Sequence, residues 1–249
     1  MTTLLAIDTA TDALSLALRR DGELRRIHRV MPRQHQQQLF ACLDELFEGQ
    51  TPTELGLQAV VYGRGPGSFT GLRIAASAAQ GLAYSLDIPV IGVSTLETQV
   101  RTLLRREGTY RASGDAPADR SLEAGLILST IDARIGQAYA AFFQVDGLEV
   151  SALGDPMVAE PASLERPTDT AVSPLIVVGD GYAKIEDLPQ SLAPIASLWP
   201  DVKPEAEDMF AVAEALLVAG EGRSAATAMP DYVQQRIGWK TLAEQARRP

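Results

Sequence analysis

The chain has 249 residues, 46 % of them hydrophobic, and a formal net charge of −10, as expected of a folded globular protein with one large or two small domains. The acidic balance argues against a primary nucleic-acid binder, because such a surface repels phosphate. The single cysteine, Cys42, excludes an intramolecular disulfide, and neither a membrane-spanning run nor a basic leader pattern occurs, so we expect a cytoplasmic protein without a membrane partner.

The first third of the chain predicts three antiparallel strands and then alternating helices and strands. Apolar and small residues alternate in "ALSLALRR", and Asp21-Gly22 is a hairpin-turn pair. Apolar residues at helical spacing predict a helix in "RQHQQQLFACLDELFEG", which Gly49 ends. Next come a strand in "LQAVVYG", a helix in "GLRIAASAAQGLAYSL", a strand in "IPVIGV" and a helix in "STLETQVRTLLRRE" that opens with the capping-box pair Ser94 and Glu97. This order predicts a mixed sheet with helices on its faces.

The second half begins with "GTYRASGDAPADRSLEAG", whose small and polar residues predict a lobe boundary or an exposed loop. A hairpin follows, with turns near "DARIGQ" and at Asp146-Gly147, then a buried strand in "PLIVVGDG" and an amphipathic helix in "EAEDMFAVAEALLVAGEG". The segments "LLAIDTA" and "LILSTIDAR" each place an aspartate at the end of an opening strand, once per half. This is a weak repetition over a long spacing, and no short-period repeat occurs.

The glycine-rich loop "GRGPGSFTG" before the alanine-rich helix has two interpretations. It contains no lysine and is therefore not a Walker loop, and its spacing does not give G-x-G-x-x-G. An anion could still bind the exposed amides at the helix start. Alternatively, the loop turns sharply and packs tightly, with Phe69 as an apolar anchor. Motif spacing does not choose between the two.

Two aspartates, Asp8 and Asp132, also have two interpretations. Strand-end carboxylates facing each other across a cleft could hold the Mg²⁺ of a nucleotide or orient a water. They could equally cap turns. In "VVGDG", Gly179 permits either close approach of a nucleotide to the backbone or an ordinary strand exit. Neither Ser68 nor Ser94 lies in a G-x-S-x-G elbow, so no nucleophile constellation is visible.

Several segments together resemble the TsaB (YeaZ) family of bacterial tRNA threonylcarbamoyladenosine biosynthesis proteins: "LLAIDTAT", "GRGPGSFTGLRIAASAAQGLA", "IPVIGVSTLE", "IDARIGQAYAAFF", "VVGDG" and "PDYVQQRIGWK". The resemblance runs from residue 2 to about residue 240, and "GPGSFTGLR" is its most specific part. It implies an α/β, two-lobed actin-like, Hsp70-like and sugar-kinase-like (ASKHA, RNase H-like) fold with mixed sheets flanked by helices. Residues 1–106 would form the N-terminal lobe, with part of 205–249 packing back on it, and 107–204 the C-terminal lobe.

The resemblance also implies that the chain is not an enzyme. The related catalytic family, TsaD, carries an H-x-x-x-H metal pair on the helix after "IPVIGV", and here Thr95 and Gln99 stand in those places. Neither side chain is a competent ligand for a tightly bound transition metal, so we expect no metal. No cofactor is expected to bind tightly; for weak binding of ATP or ADP with Mg²⁺, the candidate residues are Asp8, Gly65, Gly67, Asp132 and Gly179.

The expected function is that of a scaffold subunit, which binds and activates TsaD during threonylcarbamoylation of adenosine 37 in ANN-reading tRNAs. Expected partners are TsaD, TsaE and a second copy of the chain, with tRNA contacted only through the complex. The expected interface lies on the helices of residues 33–47 and 72–86, at Leu39, Leu43, Leu72, Ala75, Ala78, Ala79 and Leu82. The alternative is a weak Mg²⁺-dependent ATPase or phosphotransferase of the same fold. A peptidase ranks last, because no metal pair or catalytic triad is present.

Overall fold

The computed structural model describes residues 2–112, 124–168, 170 and 174–233. The first of two sheets has the strand order β3-β2-β1-β4-β5. Strands β1 to β3 are antiparallel neighbours, as predicted, whereas β4 and β5 continue the sheet in parallel from β1. The strands are β1 (Leu4–Asp8), β2 (Ala13–Arg20), β3 (Glu23–Val30), β4 (Ala59–Gly65) and β5 (Val90–Ser94).

Helices cover both faces of this first sheet. Helices α1 (His35–Phe47) and α2 (Phe69–Leu86) pack on one face, because their apolar residues recur at helical spacing. Helix α3 (Thr95–Ala112) follows β5. The other face is covered by a 3-10 turn, Ala206–Met209, and helix α4 (Phe210–Val218), which bury Met209 and Phe210 against β1, β4 and β5. Late residues thus return to the first sheet.

The second sheet contains the strands of the later half in the order β8-β7-β6-β10-β11, and β9 pairs with β7. Strands β6, β7 and β8 are antiparallel neighbours, and β10 and β11 run parallel to β6. The strands are β6 (Ala124–Arg134), β7 (Gln137–Asp146), β8 (Glu149–Ala152), β9 (Met157–Ala159), β10 (Leu175–Val178) and β11 (Ile195–Trp199).

The two sheets repeat one topology. In each, the first three strands form an antiparallel meander, and two later strands add in parallel on the other side of the first strand. Asp8 ends the first strand of one sheet, and Asp132 lies near the end of the first strand of the other. The repetition read from the two aspartates is therefore confirmed, and so is the predicted α/β class with mixed sheets flanked by helices.

The lobes differ in their helices. Between β8 and β11 the only helical segments among the described residues are 3-10 turns, at Pro161–Ser163, Ile185–Asp187 and Gln190–Leu192. No counterpart of the α1–α2 pair covers the second sheet within the described ranges. One sequence expectation is corrected: the break predicted from Gly108 begins later, because α3 continues to Ala112. Residues 113–123 of that predicted loop lie outside the described residues.

Helix α3 belongs structurally to the second sheet. Its buried residues Leu96, Val100 and Leu103 pack against β6, β7 and β10. The boundary predicted between residues 106 and 107 falls inside this helix. None of the helices in the described part of the chain is long and apolar enough to cross a bilayer. The part of 205–249 beyond residue 233 lies outside the described residues.

Candidate functional site

The start of α2, where a phosphate would bind, is occupied by the chain itself. The backbone N–H of Ser68 donates to the carbonyl of Ala10 at 2.7 Å, and the Thr9 hydroxyl donates to the carbonyl of Gly71 at 2.7 Å. Ser68 is the N-cap, and its Oγ accepts from the Gly71 N–H at 3.4 Å. The turn after β1 thus packs directly on the glycine-rich loop and accepts from one backbone N–H, that of Ser68, which an anion could otherwise use.

The glycines of this loop serve close approach between backbone segments. A Cβ on Gly71 would lie 1.9 Å from the Thr9 carbonyl oxygen, and one on Gly67 would lie 2.6 Å from that of Ala10. Gly65 has φ +117°, and its added Cβ would lie 2.9 Å from the Asp231 carbonyl oxygen. These contacts support the interpretation of a tightly packed loop. The anchor predicted for it is wrong, since Phe69 points outward and is 57 % exposed.

We expect Gly71→Ala to destabilise the protein by about 1–3 kcal/mol, because the new methyl group would overlap a backbone carbonyl that cannot swing aside. Urea denaturation followed by circular dichroism measures the change. Gly81→Ala is the matched control, since its Cβ would meet no atom within 4 Å and it lies in the same helix. Equal stability of the two variants would contradict the packing account.

Asp8 is buried at the end of β1, with 1 % of its surface exposed. Its Oδ1 accepts from the Ala10 N–H at 2.9 Å, while Oδ2 has no hydrogen-bond partner among the described residues. Gly63 makes room for it, because a Cβ there would lie 2.0 Å from Oδ2. Burial raises the pKa of the Asp8 carboxyl to about 7. Because Asp8 is 1 % exposed, its carboxyl oxygens are out of reach of a solvated Mg²⁺ as placed.

Asp132 is exposed and caps the turn between β6 and β7. Its Oδ1 accepts from the Arg134 N–H at 2.8 Å, and its Oδ2 pairs with the Arg134 guanidinium at 3.0 Å. The Asp132 N–H donates to Oδ1 of Asp180 at 2.9 Å. The structure thus brings Asp132 together with Asp180, a residue that the sequence interpretation did not single out.

A lysine that sequence reasoning missed lies beside Asp180. The Nζ of Lys203 is 2.6 Å from Oδ1 of Asp12 and 3.7 Å from Oδ2 of Asp180. Asp12 follows β1 in the first lobe, and Asp180 follows β10 in the second. No sequence pattern identifies a single lysine in the segment after β11 as functional. Only the fold brings Lys203 between two carboxylates that are distant in sequence.

Thr95 and Gln99, in the places of the histidine pair, are both buried on α3. The Gln99 amide donates to the Val202 carbonyl at 2.8 Å and accepts from the Ser129 hydroxyl at 2.6 Å. Gly179 has φ +96°, and an added Cβ would lie 1.9 Å from the Thr130 carbonyl oxygen and 2.6 Å from the Gln99 amide nitrogen. Protein atoms therefore surround Gly179 on this side. Among the described residues, no group of three histidine, cysteine, aspartate or glutamate side chains is arranged to hold a metal.

An open groove of about 450 Å³ runs between α1 and α2. Two aromatic side chains, Phe40 and Phe69, project from it and are 64 % and 57 % exposed. The Arg73 guanidinium lies 3.9 Å from the centre of the Phe69 ring, and its Nε donates to the Tyr232 hydroxyl at 2.9 Å. The groove is lined by Gln36, Leu39, Phe40, Phe69, Thr70, Arg73, Ile74, Ser77 and Ala78.

Most of the predicted interface residues are buried in the subunit. Five of them are 2 % exposed or less: Leu39, Leu43, Leu72, Ala75 and Ala79. Leu39 reaches the floor of the groove, as does Ala78, which is 8 % exposed. Leu82 is partly buried against the same core. On this helix pair Ala75 and Ala79 face the sheet, whereas Phe40 and Phe69 face outward. An interface on these two helices stays a prediction.

Comparisons with known proteins agree with this architecture. The family model for TsaD, tRNA N6-adenosine threonylcarbamoyltransferase, matches residues 28–235. The chain is 32 % identical over 245 residues to the tRNA threonylcarbamoyladenosine biosynthesis protein TsaB of Escherichia coli K12, covering 96 % of this chain and 97 % of that one. It is 34 % identical over 143 residues to TsaB of Bacillus subtilis 168, covering 57 % of this chain and 55 % of that one.

Among solved structures, YeaZ from Pseudomonas aeruginosa superposes with a TM-score of 0.76 at 33 % identity, covering 93 % of this chain and 100 % of that chain. Matches of this length and identity span both lobes, including the α1–α2 helix pair and the return of the chain to the first sheet. The resemblance read from the sequence is therefore confirmed, and the chain belongs to the TsaB (YeaZ) family.

Proposed function

We propose that this protein is a non-catalytic docking subunit that binds and supports TsaD in the threonylcarbamoylation of adenosine 37 in ANN-reading tRNAs. The observation that carries the proposal is the groove between α1 and α2, where Phe40 and Phe69 are more than half exposed in a member of the TsaB family. Monomeric proteins seldom leave neighbouring aromatic side chains in water without a partner.

The composition of the groove suits a protein partner. Exposed phenylalanine, tyrosine and arginine side chains carry much of the binding energy in protein interfaces, and Phe69, Arg73 and Tyr232 lie in contact at one end of the groove. Two helices from a partner would complete a four-helix bundle with α1 and α2. TsaD and a second copy of the chain compete for this surface in the proposal, TsaE joins as a third subunit, and tRNA is reached through the complex.

The places where the fold could perform chemistry support a non-catalytic role. The loop before α2 is packed against the turn after β1, Asp8 is buried, and Lys203 lies between Asp12 and Asp180. We therefore expect no tightly bound nucleotide and no catalytic group of the chain's own in the reaction.

A reconstitution tests the proposal. The purified chain is combined with the TsaD-like and TsaE-like proteins of its own organism, tRNA and threonylcarbamoyl-AMP, and the modified nucleoside is measured by mass spectrometry. We expect product only when the chain and the TsaD-like protein are both present. ATP turnover by the chain alone at about 1 per second or faster, lost on Asp8→Ala, would favour a catalytic role instead.

A further inference from the structure

The connection that carries the chain from the second lobe back to the first is residues 202–206, hereafter the return segment. It leaves the end of β11 and leads into the 3-10 turn that covers the first sheet. We propose that the return segment is an interlobe lock, in which Lys203 joins carboxylates of both lobes and thereby holds the two sheets at one fixed angle.

Lys203 is the centre of the lock. Its side chain is 17 % exposed, and its ammonium lies 2.6 Å from a carboxylate oxygen of Asp12 and 3.7 Å from one of Asp180. These two carboxylates come from opposite lobes and would repel each other if they shared the cleft without a cation. The Lys203 ammonium attracts both carboxylates and so replaces their mutual repulsion by attraction. Its side chain is only 17 % exposed, so water screens these interactions less than it would at the surface.

The backbone on both sides of Lys203 is held by side chains from other elements. The Val202 carbonyl accepts from the Gln99 amide at 2.8 Å, and the Glu205 N–H donates to the Thr102 hydroxyl at 3.0 Å. The Ala206 N–H donates to the Ser15 hydroxyl on β2 at 2.9 Å. Gln99 and Thr102 lie on α3, so the two segments that cross between the lobes, α3 and the return segment, are tied to each other.

A cluster of ion pairs adds to these ties. The Glu205 carboxylate accepts from the guanidinium of Arg105 at 2.5 Å and also pairs with Arg106, both on α3. Hinge motion in two-lobed proteins requires a few residues of the connecting segments to change backbone angles freely. Four of the five residues of the return segment make bonds outside it, which leaves the connection little such freedom. The lock therefore makes the two lobes one rigid body, and this inference does not depend on which partner the groove binds.

Double electron–electron resonance measures the distance between a label on each lobe, and this distance changes when the interlobe angle changes. Spin labels are attached at Gln37→Cys on α1 and Ser151→Cys on β8, both exposed, in a Cys42→Ser background. We expect Lys203→Met to broaden the interlobe distance distribution at least about twofold and to speed amide exchange at Glu205 and Ala206 about tenfold or more. Lys184→Met, which removes an exposed lysine from the second lobe, is the matched control and should change neither quantity.

A Lys203→Met protein with the parent's circular dichroism, distance distribution and exchange rates would overturn the proposal. Should that variant fail to fold, Asp180→Asn replaces it, because it removes only the second-lobe carboxylate and leaves the Lys203–Asp12 pair in place. We expect a smaller broadening from Asp180→Asn, and an unchanged distribution there would equally count against the lock.

Discussion

Replacing Asp8 by asparagine is expected to stabilise the protein at pH 8 and to remove the loss of stability that the Asp8 carboxyl causes between pH 3.8 and about 7. Burial raises the pKa of the Asp8 carboxyl from 3.8 to about 7, and one of its oxygens has no hydrogen-bond partner among the described residues. Between these values the unfolded chain has released the proton that the folded chain retains. Stability therefore falls as pH rises through this window.

The size of the effect follows from the shift. Each pKa unit corresponds to about 1.4 kcal/mol, so a raised pKa of this size costs up to about 4 kcal/mol at pH 8, where the buried carboxyl must ionise. Asparagine keeps the oxygen that accepts from the Ala10 N–H and carries no charge at any pH. A fully buried carboxyl with one hydrogen bond is thus a liability that a neutral amide of similar shape removes.

Urea denaturation at pH 5, 6, 7 and 8 measures this prediction. Asp21→Asn is the control, because it removes a carboxylate whose side chain is 78 % exposed in the turn between β2 and β3. The parent and Asp21→Asn should both lose stability relative to Asp8→Asn as pH rises from 5 to 8, because only Asp8→Asn lacks the buried carboxyl. Parallel curves of unfolding free energy against pH for all three proteins would mean that Asp8 keeps its ordinary pKa in the folded state.

Phe40→Asp is expected to weaken association with the TsaD-like partner and with a second copy of the chain by roughly 2–4 kcal/mol. The Phe40 ring is 64 % exposed on α1 at the groove, so it contributes little to the stability of the folded subunit. A carboxylate at the same place would be desolvated in the complex without a cation supplied for it.

Sedimentation velocity and titration calorimetry measure the two associations, and circular dichroism controls for folding. Val218→Asp is the matched control, since it places the same charge at an apolar residue that is 91 % exposed at the end of α4. We expect wild-type affinities from this control. Equal binding by Phe40→Asp and Val218→Asp would remove the α1–α2 groove from the proposed interface.

Much of the fold is readable from the sequence because its signals are local. Alternation in "ALSLALRR", the turn at Asp21-Gly22 and the cap at Ser94 each arise from neighbouring residues, and the corresponding elements appear in the structure. The strand-end aspartates recur at equivalent ends of the two sheets, which agrees with the two related lobes that the family resemblance implied.

The candidate site was less predictable because its determinants are distant in sequence. Small residues on α2 suggested a surface for another helix, yet they serve equally for packing on a sheet, and Ala75 and Ala79 do the latter. The role of Lys203 depends on Asp12 and Asp180, which only the folded chain brings near it. The sequence places Asp8 at the end of a strand, which suits both a metal ligand and a buried carboxyl. Only the surroundings of the side chain in the folded protein distinguish these two roles.

The return of late residues to the first sheet has a consequence for synthesis on the ribosome. One face of that sheet, formed by β1, β4 and β5, is covered by Met209, Phe210 and Ala213, and the Tyr62 hydroxyl bonds to the backbone of Met229, 167 residues later. All five strands emerge long before these partners do. A nascent chain therefore carries an uncovered apolar sheet while the whole second lobe is translated. During that interval the exposed sheet favours chaperone binding and aggregation, because of the order of the elements along the chain.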